Sequence, residues 1–143
     1  MYNDLKKVIN MKIDVVNTIL LNWKDSIEIS EENKEKLLQC IFIMLDIENK
    51  DKKVLKLPTT ELVNKATKKD YNSIYALYMK TCDEVFKFIS MLLNENRTVV
   101  ALSFVETYVY GFIKLNTYDF SEPLEKWLKG IALVVVENIK KDG

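Results

Sequence analysis

Asn94–Leu115, NENRTVVALSFVETYVYGFIKL, is the stretch whose reading decides the fold. Between Arg97 and Lys114 it holds one charge, Glu106. A helix that is apolar nearly all round either spans a membrane or forms the centre of a bundle. A span needs roughly 20 apolar residues. Here sixteen residues, 98–113, separate the flanking charges, and Glu106 interrupts them. The stretch is therefore read as a buried central helix. Asn96 suits its N-cap, because its side-chain oxygen can accept from free amides of the first turn. Arg97 then falls in that turn, where the helix dipole disfavours a cation.

Working outward, amphipathic stripes flank this helix on both sides. Leu5, Val8, Ile9, Ile13, Val16, Ile19, Leu20 and Trp23 predict a first helix over about 2–24. Ser30, followed by Glu31 and Glu32, starts a second helix carrying Leu37, Leu38, Ile41, Phe42, Met44 and Leu45. Glu48 to Leu57 is charged and aperiodic and reads as a loop. Pro58 with Thr59 or Thr60 opens a short third helix with Leu62, Val63 and Ala66. Asp70 caps a long fourth helix, with Ile74, Tyr78, Cys82, Val85, Phe86, Ile89, Leu92 and Leu93 on one face. After a turn at Asn116–Phe120, Ser121, Glu122 and Pro123 begin a sixth helix bearing Leu124, Trp127, Leu128, Ile131, Val135 and Ile139. No run reads as a strand. Short connections between long helices predict one all-α bundle over residues 1–143.

Composition narrows the chemistry. The chain has 21 basic and 21 acidic residues, so its net charge gives no sign of a nucleic-acid surface. It has no histidine, the commonest general base and metal ligand. Its three glycines form no phosphate-cradling loop. No cofactor is expected. Cys40 and Cys82 read as packed thiols, as in a cytosolic protein. No signal peptide or membrane-length run is read.

A central apolar helix wrapped by amphipathic ones resembles the Bcl-2 family. That family's first homology motif runs Asn-Trp-Gly-Arg, a hydrophobic residue, Val, Ala, two bulky residues, a small or acidic residue, Phe and Gly. Asn94, Arg97, Val99, Ser103 and Phe104 match it in register, while the Trp-Gly pair and the closing Gly are absent. The resemblance covers about residues 70–140. Leu124 to Leu128 looks like the start of the second homology motif, but it comes too soon after Arg97 and is read as the sixth helix itself. The family's death motif is not clearly present, since Thr67 stands where its Asp is expected after Leu62 and Ala66. Short, divergent members without a C-terminal anchor resemble those of large DNA viruses.

What the resemblance implies is helix-in-groove binding. A pro-apoptotic partner of the Bim, Bak or Bax type would lay its death-motif helix in a trough formed by the third to fifth helices. Its Asp would pair with Arg97, helped by Asn94. Residues 97, 100, 104 and 108 share a helical face. Val100, Phe104 and Tyr108 are thus the trough expected from the fifth helix, and Phe86, Phe88, Ile89 and Leu92 from the fourth. The protein would then be a non-enzymatic, anti-apoptotic viral protein of the host cytoplasm, peripheral to mitochondria and without a transmembrane anchor. Tyr108, Tyr110 and Phe112 suggest a homodimer face.

Two alternatives stand beside this. Some viral Bcl-2-like proteins have a closed groove and bind adaptors of inflammatory signalling; a trough filled by the chain's own side chains would favour that reading. Separately, Glu31-Glu32-x-x-Glu35 followed by Glu48-x-x-Asp51 resembles the acidic signature of magnesium-dependent all-α nucleotide pyrophosphohydrolases. Both halves flank one continuous helix, which at 1.5 Å per residue separates them by roughly 20 Å, too far to share a metal.

Overall fold

The computed structural model describes residues 16–19, 30–45, 52–94 and 96–142, and the backbone alone at residues 44, 45, 97 and 142. It is all-helical, with no strand among the described residues. Residues 16–19 are helical and are labelled α1. Then follow α2 (Glu31–Leu45), a 3-10 turn (Lys52–Lys56), α3 (Thr59–Ala66), α4 (Tyr71–Leu93), α5 (Arg97–Ile113), a second 3-10 turn (Leu115–Thr117) and α6 (Leu124–Asp142). The expected residues Leu5, Val8, Ile9, Ile13, Leu20 and Trp23 lie outside the described residues, while Val16 and Ile19 are buried.

Local chemistry sets the helix ends. The Ser30 hydroxyl accepts from the Asn33 amide at 3.2 Å, which satisfies one free amide of α2. Asn96 does the same for α5, accepting from the Val99 amide at 3.3 Å. Asp70 stands at the start of α4, but its carboxylate accepts from the Ser73 hydroxyl at 2.7 Å instead of from a backbone amide. Asn94 ends α4 in the left-handed conformation, φ 49°, a C-cap geometry that asparagine tolerates. Part of the expected 48–57 loop is ordered packing: Val54, Leu55 and Leu57 lie half-buried against the core, and Lys80 donates to the Leu57 carbonyl at 2.6 Å.

Helix α5 sits at the centre. Every residue from Ser103 to Val109 is buried, so no face of its middle meets water. Helices α4 and α6 pack on it and on each other, α3 lies on α4, and α2 touches both α4 and α5. Lys34, 12% exposed, bridges to Asp83 at 3.5 Å and ties α2 to α4. Gly111 sets the approach of α5 to α6, because a Cβ there would lie 2.6 Å from the Leu128 side chain. No described helix is long and apolar enough to cross a membrane.

The turn before α6 is held by Tyr118. Its ring is buried against Trp127 and its hydroxyl donates to the Glu122 carbonyl. Phe120 takes φ 64° to complete the bend. Gly130, by contrast, stands on the outer face of α6, and a Cβ there would meet nothing within 4 Å. Glycine in a helix interior costs about 1 kcal/mol relative to alanine. Gly130→Ala is therefore expected to stabilise the monomer by about that amount in a urea titration.

Candidate functional site: the interface of α4 and α5

The proposed trough residues come together, but as core. Val100, Phe104 and Tyr108 on α5 and Phe86 and Ile89 on α4 are all buried. Phe88 and Leu92 are half-buried, and Phe88 faces α6, with the Lys129 ammonium 5.9 Å from its ring centre. Arg97 opens α5, and its side chain lies outside the described residues. Asn94 is exposed at the junction of the two helices.

The interface is an aromatic cluster with edge-to-face geometry, the arrangement that ring quadrupoles favour. The Tyr78 ring meets Tyr108 at 4.8 Å and Phe104 at 6.4 Å. Phe104 in turn meets Tyr108 at 5.4 Å and Phe86 at 5.9 Å. Thus Tyr78, Phe86, Phe104 and Tyr108 pack against one another between α4 and α5.

One hydrogen bond locks the pair of helices. Thr81 Oγ1 lies 2.8 Å from the Tyr108 hydroxyl and 2.8 Å from the Leu77 carbonyl. A carbonyl only accepts and a threonine hydroxyl has one proton. Thr81 therefore donates to Leu77, and Tyr108 donates to Thr81. Burial pushes the Tyr78 and Tyr108 hydroxyls well above the usual phenol range, and the Cys82 thiol nearby adds to it. Burial, with Asp83 beside it, pushes the Cys82 thiol up to about 12. It is a packed neutral thiol, not a nucleophile.

Sequence reasoning placed Tyr78 on the inner face of α4 but gave no role to Thr81. A lone polar residue on that face was the available signal. Of the homodimer face expected from Tyr108, Tyr110 and Phe112, Tyr108 is fully buried while Tyr110 and Phe112 are half-buried. Phe112 packs on Tyr108, and Lys114 lies over the Tyr110 ring at 5.8 Å.

The acidic residues of α2 are engaged by lysines. Glu31 pairs with Lys34 at 3.7 Å, Glu32 with Lys36 at 3.2 Å and Glu35 with Lys52 at 3.1 Å. Glu48 and Asp51 lie outside the described residues.

Comparison with known protein families, with curated proteins and with solved structures finds no match to this chain.

Proposed function

We propose that this chain is a non-enzymatic interaction module with a Bcl-2-like arrangement of helices. Its partners are adaptor proteins of inflammatory signalling, held on outer helix surfaces and not in a peptide groove. The observation that carries the reading is the burial of Phe86, Ile89, Val100, Phe104 and Tyr108 in one cluster. A trough so filled offers no apolar floor to a ligand helix, and that floor would supply most of the affinity. The absence of histidine and the lysine-paired acids of α2 give the reading further support against hydrolytic chemistry.

The anti-apoptotic reading stands second. It draws support from exposed Asn94 at the junction of α4 and α5. A death-motif helix would have to part α4 from α5, and it could shift that equilibrium only by its extra affinity for the open state. The two readings separate in cells. With the chain expressed, a stimulus-driven inflammatory reporter is expected to fall at least several-fold, with sensitivity to intrinsic death stimuli unchanged. Protection from death with the reporter unaffected would overturn the first reading in favour of the second.

A further inference from the structure

Helix α6 buries Leu124, Leu128, Ala132, Val135 and Val136 in the bundle. Its opposite face runs Lys126, Gly130, Leu133, Val134, Glu137 and Lys141, all exposed. Leu133 is 42% exposed and Val134 56%, two neighbours among the six large apolar residues exposed in the described structure. Gly130 has no internal justification. No Cβ clash requires it, and its φ is not positive. A small residue on an outward helical face lets another backbone approach closely, as at helix–helix contacts generally. Clefts lie on both sides of Gly130, one towards Tyr110 and Trp127, the other towards Phe88 and Leu133.

The charges identify what covers this face. We propose that α6 packs antiparallel on α6 of a second copy, about a twofold axis between residues 131 and 132. Gly130 then faces Leu133 of the second copy, so each copy offers one hole and one knob. Lys126 faces Glu137, and Glu122 faces Lys141. Each of these contacts occurs twice, as a twofold interface demands. Every charged pairing among them is of opposite sign. A parallel arrangement would set Lys126 on Lys126 and Glu137 on Glu137. The pattern thus fits a copy of itself, in one direction only. Within the described residues Lys126, Glu137 and Lys141 form no salt bridge that this packing would break.

The 19 residues of α6 span about 28 Å. One helix seam is smaller than the roughly 800 Å² per partner of a standard interface, so the dimer is concentration-dependent. Sedimentation velocity over about 1–200 µM reads it directly. The wild type is expected to shift from monomer to dimer across this range. Lys126→Glu and Glu137→Lys should each weaken association about tenfold, because two attractive pairs become two repulsive ones. Both positions are exposed, and circular dichroism checks that the fold is unchanged. The double exchange Lys126→Glu with Glu137→Lys should restore association to within about threefold of the wild type. A monomer at every concentration, or a dimer indifferent to both single reversals, would overturn the proposal.

Discussion

Replacing Phe104 by alanine is expected to cost about 4 kcal/mol of stability, the cost typical of emptying a buried phenylalanine site. Phe104 is 0% exposed and its ring contacts Tyr78, Phe86 and Tyr108. Its loss leaves a cavity bounded by three large rings and two helices, which cannot collapse without moving α4 relative to α5. Domains of this size are stable by only about 5–15 kcal/mol, so the variant should lose a large share of its stability. A urea titration reads the effect as a lower midpoint with the slope unchanged. Were Phe104 the wall of an open trough, truncation would cost about 1 kcal/mol or less. The substitution thus measures how closed the α4–α5 interface is.

Alkaline pH should destabilise the protein from about pH 9 upward. The Cys82 thiol has an ordinary value of 9.0 and is held at about 12 in the fold. Below pH 9 both states keep the proton and the thiol contributes nothing to the pH dependence. Between 9 and 12 the unfolded chain releases the proton while the native state retains it. Stability therefore falls with rising pH, by about 1.4 kcal/mol per unit. From pH 9 to 11 this amounts to about 2 kcal/mol. Tyr78 and Tyr108, both raised by burial, act in the same direction above pH 10. Denaturant midpoints measured from pH 7 to 11 should be level at first and then drop steeply. Cys82→Ala should remove about one proton from that slope. A profile level through pH 11 would show that the cluster is open to water.

The helix pattern was largely legible from sequence because periodicity and caps are local. Asn96 and Ser30 accept from the amides that their positions imply. The stripes of α3 and α4 are buried as their spacing predicts, apart from half-buried Leu92. The packing of α4 on α5 was not legible, and the reason is geometric. Val100, Phe104 and Tyr108 recur at the same spacing whether they line a groove or pack into a core. Only the distance between α4 and α5 separates the two cases, and rings from both helices set it. Tyr118 was missed for a related reason. Its burial depends on a bend completed by Phe120 at positive φ, which no apolar period announces. The outer face of α6 was legible in principle. Leu133 and Val134 fall off the buried stripe, and Gly130 interrupts a helix that needs no glycine.

The central claim is that the chain's own aromatic side chains fill the seam between α4 and α5. Calorimetric titration with a panel of death-motif peptides, on the wild type and on Arg97→Ala, tests it most directly. The account predicts no binding by any peptide at concentrations up to about 100 µM. Sub-micromolar binding by one peptide, weakened several-fold in Arg97→Ala, would contradict it and establish an open groove.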